Sequence, residues 1–133
     1  MILCFQFLSL LKVLYNKKSV VNFFNTHSNH PSILSISDLL DEFNIDNAAV
    51  RISKENFNQI DTPFIAKTQS SEGYFCLITK IENQNITYLN ELNETVTKSL
   101  EQFYLQCSGV VLVAEANSNS IEPNYTAQPQ AKV

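Results

Sequence analysis

Gly73-Tyr74-Phe75-Cys76-Leu77-Ile78-Thr79-Lys80-Ile81, then Glu82-Asn83-Gln84-Asn85, then Ile86-Thr87-Tyr88-Leu89-Asn90, is the stretch on which the fold turns. Two runs rich in β-branched and aromatic residues flank a short polar segment, the pattern of an antiparallel hairpin. The four polar residues allow a tight two-residue loop at Asn83-Gln84 or an odd loop over Glu82–Gln84. The choice matters, because side chains alternate faces along a strand and a slip of one residue turns every side chain over.

Outward from the hairpin, strands are predicted at Ala48–Ile52, Phe64–Lys67, Thr95–Thr97 and Val110–Ala114, with a helical turn over Lys54–Gln59. Ser99 caps a late helix over Leu100–Gln106, and Gly109 breaks it. Before residue 45 the spacing is helical. Leu8, Leu11, Leu14 and Tyr15 predict a first helix over about Leu3–Tyr15. Ser19 caps a second over Val20–Thr26, Asn29-His30-Pro31 makes a turn, and Ser35 opens a third along Ile36, Leu39, Leu40 and Phe43. Asn44 sits where a left-handed residue ends a helix. Helices followed by an antiparallel sheet with one late helix define an α+β fold. The domain is expected over 1–116, with 117–133 a polar, flexible tail or linker stub whose deletion leaves the thermal midpoint within a few degrees.

Composition narrows the function. The 133 residues carry a net charge of −4 and one arginine, Arg51, which argues against a nucleic-acid partner. Two glycines cannot build a phosphate loop. Cys4, Cys76 and Cys107 form no CxxC pair, so neither a zinc knuckle nor a dithiol redox site is expected, and no cofactor is implied. The apolar run Met1–Leu11 has no basic residue before it and no small-residue cleavage site after it. It is also well short of the roughly 20 residues that span a bilayer. It reads as a buried helix, so no signal peptide or transmembrane segment is expected in the chain.

Candidate chemistry is thin. His27 and His30 read as loop histidines rather than metal ligands, and Asp38, Asp41 and Glu42 as the solvated face of a helix. The sequons at Asn85, Asn93 and Asn124 carry no weight in so asparagine-rich a chain. Cys4, near the start of a helix, is the one cysteine placed where a dipole lowers a thiol pKa. From position alone it reads as a core thiol.

Three stretches resemble the bacteriocin-processing, double-glycine leader peptidases, a papain-like family. Leu34-Ser35-Ile36-Ser37-Asp38-Leu39-Leu40 with Phe43-Asn44-Ile45 and Ala48-Ala49-Val50 is similar to that family's "G-T-S-L-x-x-L" helix and the segment after it. Gly73–Ile78 is similar to its "G-H-F-V-V-L" strand. Leu100–Phe103 with Ser108–Leu112 is similar to its closing segment.

The resemblance implies a nucleophilic cysteine at the start of the first helix with an oxyanion glutamine before it. It also implies a histidine opening a strand and an aspartate sixteen residues on. In this chain the base falls on Tyr74, the orienting acid on Asn90, and the nucleophile on Leu3, one residue from Cys4; no glutamine precedes Cys4. A phenol with a pKa near 10 cannot shuttle a proton as imidazole does. The expectation is therefore a non-catalytic peptidase-like module with a vestigial site at Cys4, Tyr74 and Asn90. It would bind an extended or leader peptide, or serve a membrane peptide-export or redox partner. The alternative is an active leader peptidase using Cys4.

The S-I-S-D flavour of the third helix is most similar to domains preceding vitamin K epoxide reductase-type membrane domains in Bacteroidetes-type bacteria. Such a module is cytoplasmic, or membrane-associated through a partner. The resemblance also requires the odd hairpin loop, which pairs Cys76 with Asn90.

Overall fold

The computed structural model describes residues 2–69, 74–123 and 125. The predicted strand start at Gly73 and the tail residues 124 and 126–133 lie outside them. Three helices come first: α1 (Ile2–Leu10), α2 (Lys17–Thr26) and α3 (Ile33–Glu42). β1 (Asp46–Arg51), a 3-10 helix (Lys54–Gln59), β2 (Phe64–Thr68), β3 (Phe75–Glu82), β4 (Asn85–Leu89), β5 (Thr95–Ser99), α4 (Leu100–Gln106) and β6 (Cys107–Glu115) follow. The strands make one antiparallel sheet in the order β1-β6-β2-β3-β4-β5.

Strand alternation sorts the sheet's side chains into two cores. Ile65, Phe75, Leu77 and Leu112 face α1–α3, where they meet Leu3, Phe7, Val20, Phe24, Leu39 and Leu40. Phe64, Ala66, Cys76, Ile78, Ile86, Tyr88 and Val111 face the other way, onto Phe57 of the 3-10 helix and Leu100 and Phe103 of α4. Helices thus cover both faces, the α+β arrangement predicted.

Helix ends explain where the predicted bounds moved. α1 stops at Leu10 rather than Tyr15. Lys12 is left-handed (φ 62), its N–H reaches Ser9 O, and Val13 N–H reaches Leu8 O, which turns Val13 into the core. This paired hydrogen bonding is a Schellman end. α3 ends the same way at Asn44 (φ 58), with Asn44 N–H on Asp41 O and Ile45 N–H on Leu40 O, as the sequence led us to expect for Asn44. Its start is Ile33, not Ser35. Ser32 is the N-cap, and Ser35 completes a capping box with it. α2 starts at Lys17, two residues before the predicted cap Ser19. Gly109 does not break α4, which already ends at Gln106; it kinks β6 at φ 89, a conformation that suits glycine.

The hairpin corrects the odd-loop expectation. Glu82 pairs with Asn85, so the loop is the two-residue Asn83-Gln84, both left-handed (φ 53 and 68). That is the twist-matched tight turn favoured by hairpin geometry. The displaced residue reappears as a β-bulge: the register shifts between Ile78 and Lys80, leaving Thr79 extra, its hydroxyl donating to Thr87 O. Beyond the bulge Ile78 pairs with Tyr88 and Leu77 with Leu89. Ile78 and Ile81, three residues apart, consequently both pack toward α4.

The stretch expected to be a free tail from Asn117 is tied to the domain through Glu122. Ile121 N–H donates to Phe43 O, and the N–H of Glu122 to Leu14 O. The side chains of Asn117 and Ser120 both donate to Asn44 O. The Glu122 side chain is buried and accepts from the backbone and side chain of Asn16 at 2.8 and 3.2 Å.

Candidate functional site

Cys4 lies in the first turn of α1 and is buried in the α1-side core. Burial, with the nearby Glu91 carboxylate adding to it, pushes its thiol up to about 12. The thiolate is the nucleophile of cysteine chemistry, and at pH 7 a thiol of that pKa is ionised in roughly one molecule in 10^5. The favourable field at a helix start is outweighed here by desolvation.

Tyr74 sits at the open end of β3. Its O accepts Thr68 N–H, continuing the β2–β3 ladder, and its own N–H donates to the Glu91 carboxylate. Its side chain is 64% exposed, with the ring set edge-on to Phe75. Among the described residues its hydroxyl has no hydrogen-bond partner. The phenol is thus a solvent-facing group.

Asn90, just past β4, is fully buried and its polar atoms are committed locally. Oδ1 accepts the N–H groups of Leu92 and Glu94 at 3.0 Å each, and Nδ2 donates to Glu94 Oε1 at 3.0 Å. Its backbone N–H donates to Glu94 O, and its O accepts from Asn93 N–H, with Asn93 left-handed at φ 62. Asn90 is therefore the keystone of the β4–β5 turn.

The register puts Tyr74 and Asn90 in the same phase as Cys76, Ile78 and Tyr88, which pack toward α4. Cys4 packs with Phe75 and Leu77 on the other side of the sheet. What joins the Cys4 and Tyr74 positions is Glu91: its carboxylate holds the Tyr74 amide and acts electrostatically on the Cys4 thiol. Sequence reasoning passed over Glu91. The available signal was an acid directly following the residue matched to the orienter.

Both histidines lie at the α2–α3 junction, each ordered by specific bonds. His27 Nδ1 accepts Asn29 N–H, so Nε2 carries the proton and donates to Asp38 Oδ2 at 2.7 Å. Ser35 Oγ donates to Ser32 O and therefore accepts from His30 Nδ1 at 2.9 Å, while the His30 ring stacks on Phe24 at 4.1 Å between centroids. Asp38 is thus partnered rather than merely solvated, and Asp41 takes a hydrogen bond from Asn47. Among the described residues no group of three or more His, Cys, Asp or Glu side chains is placed to hold a metal.

Burial, reinforced by His27, lowers the His30 pKa below its ordinary 6.5. Between the two values the unfolded chain binds the extra proton. The His30 contribution to stability is therefore full above about pH 6.5 and is lost as pH falls through the window beneath it. His30→Gln, which keeps a donor for Ser35, should show a smaller drop in thermal midpoint than wild type between pH 7.5 and pH 5. Parallel drops would show that His30 does not carry the pH dependence.

N-terminal helices on an antiparallel sheet, with one late helix backing it, are the arrangement of papain-like cysteine peptidases. The family model of the Peptidase C39 family matches residues 7–119, and the chain belongs to that family. The match begins three residues after Cys4.

Among solved structures, the chain is similar to the peptidase domain of Streptococcus ComA, described as a bifunctional ABC transporter in a quorum-sensing pathway. That match has a TM-score of 0.72 and 11% identity, over 86% of this chain and 88% of that one. It is similar to a double glycine motif protease from an AMS/PCAT transporter solved with its leader peptide, with a TM-score of 0.71 and 13% identity, over 83% and 78%. A third match is the peptidase C39-like domain of a Vibrio parahaemolyticus toxin secretion ATP-binding protein, with a TM-score of 0.57 and 14% identity, over 78% and 86%. At these identities the structures establish the fold. No curated protein sequence matches the chain significantly. Among the described residues no helix is long and apolar enough to cross a membrane.

Proposed function

We propose that this chain is a non-catalytic leader-peptidase-like module that holds an extended peptide without cutting it. The observation that carries the reading is the state of the three positions matched to the family's machinery. A thiol at about 12 is buried in the core, an exposed phenol stands where a base belongs, and a neutral amide that caps the β4–β5 turn stands where an acid belongs. None of the three can pass a proton to or from a peptide bond near neutral pH.

Peptide binding rests on fold-level analogy with the transporter peptidase domains, one of them solved with a leader peptide, and the membrane-associated setting rests on the same analogy. Service to a peptide-export system or to a vitamin K epoxide reductase-type redox partner belongs to this proposal. The second of these is supported by the S-I-S-D flavour of α3 alone.

The test uses a fluorescent double-glycine leader peptide with the full chain and with Cys4→Ala. Saturable binding by both proteins, with no cleavage by either, is the expected result. Cleavage by wild type that disappears in Cys4→Ala would establish the active-peptidase alternative. No binding by either would remove the peptide-holding role.

A further inference from the structure

The segment Asn117–Glu122 bridges two helix ends. On one side Glu122 sits at the N-terminus of α2. Asn16, the N-cap, makes no capping bond of its own to the helix. Its backbone N–H and side-chain amide instead donate to a carboxylate from 106 positions downstream. A negative charge is favoured at that end of a helix. On the other side, Phe43 O and Asn44 O, at the C-terminus of α3, accept from Ile121, Asn117 and Ser120. Leu14 O, in the elbow between α1 and α2, takes the N–H of Glu122.

The attachment is polar almost throughout. From Asn117 to Pro123 only Glu122 is buried; Asn117, Ser118, Asn119, Ile121 and Pro123 are exposed, and Ser120 is half-buried. Among the described residues, the α1-side core reaches Ala116 and takes in nothing beyond it. Leaving therefore withdraws no large buried apolar side chain of the segment's own. It breaks a handful of hydrogen bonds, of which the two to the carboxylate are the strongest. It also leaves Asn16 N–H, Leu14 O, Phe43 O and Asn44 O as a row of vacated backbone groups. Together these could receive an extended segment carrying one acidic side chain.

We propose that Asn117–Glu122 is a displaceable latch, anchored by the Glu122 carboxylate on the α2 N-terminus. Its withdrawal uncouples the α1–α2 elbow from the end of α3 while the sheet stays folded. In the closed state the latch couples the chain that follows it to the elbow terminating the Cys4 helix. In the open state the elbow is released.

Amide hydrogen exchange on the full chain tests this. In Glu122→Ala, the amides of residues 16, 121 and 122 should exchange roughly 10- to 100-fold faster, the range set by losing one or two hydrogen bonds to a charged group. The sheet amides of Leu77, Ile78 and Leu112 should keep their wild-type rates. Glu122→Gln, which keeps an acceptor but not the charge, should fall between. Unchanged exchange at residues 16, 121 and 122 would mean Glu122 anchors nothing. A matching acceleration of the sheet amides would mean the segment belongs to the cooperative core. Either outcome overturns the latch.

Discussion

Phe103→Ala should cost about 3–5 kcal/mol, the range for emptying a fully buried phenylalanine site. Phe103 has no exposed surface, and its ring lies 5.1 Å from Tyr88 and 6.0 Å from Phe57, edge-on to the latter. The helix that carries it has seven residues, too short to persist in water on propensity. It is held by the Ser99 cap, whose hydroxyl accepts Gln102 N–H, and by Leu100 and Phe103 beneath it.

The loss extends beyond a cavity. Without Phe103 the Tyr88 ring loses its neighbour, and the bond from Gln106 to the Tyr88 hydroxyl loses the turn that positions it. Chemical denaturation should show the drop with little change in slope. Leu105→Ala, on the same helix but 88% exposed, should stay within about 0.5 kcal/mol. Equal effects at the two positions would mean that α4 is not seated through Phe103.

Asn90→Ala should cost about 2–4 kcal/mol, because it removes three part-buried hydrogen bonds, from the N–H groups of Leu92 and Glu94 and to the Glu94 side chain. Asn90→Asp is the more instructive change, since it supplies the acid that the family resemblance places there. The two backbone bonds survive. The second oxygen, however, replaces the amide nitrogen that now lies 3.0 Å from Glu94 Oε1 and sets two carboxylates against each other. The variant should be less stable than wild type at pH 7 and recover as pH falls and one carboxyl takes a proton. Adding Glu94→Gln should restore most of the loss. A variant as stable as wild type at pH 7 would refute the contact. The turn's own hydrogen bonding thus disfavours an acid at this position.

Much of the fold was legible because alternation and helical spacing report burial directly. The hairpin, the 3-10 turn at Lys54–Gln59, the Ser99 cap and left-handed Asn44 all follow from local chemistry. The bulge at Thr79 was not legible, because nothing local distinguishes Thr79 from its neighbours. It exists to reconcile a tight turn at one end of the hairpin with a different register at the other. The end of α1 was missed because Lys12 carries no hint of a left-handed conformation that glycine or asparagine would have signalled. Glu122 was missed because an acidic residue in a proline-containing polar tail looks solvated, and its partner Asn16 is remote in sequence. Motif matching pointed to Tyr74, Asn90 and Leu3, one residue from Cys4, as the positions to compare. That Asn90 is locked into a turn and Glu91 reaches back to Tyr74 depends on how the chain closes between β4 and β5.

The two buried cysteines stand on opposite sides of the sheet, Cys4 on the inner face of α1 and Cys76 beneath α4, and no disulfide ties either. An alkylating reagent can reach each only when its own covering layer lifts. Mass-resolved labelling of the unmodified protein would therefore act as two stopwatches. One times the departure of the N-terminal helices and the other the departure of α4. Equal rates would mean the layers come apart in a single event, and unequal rates would say which layer goes first.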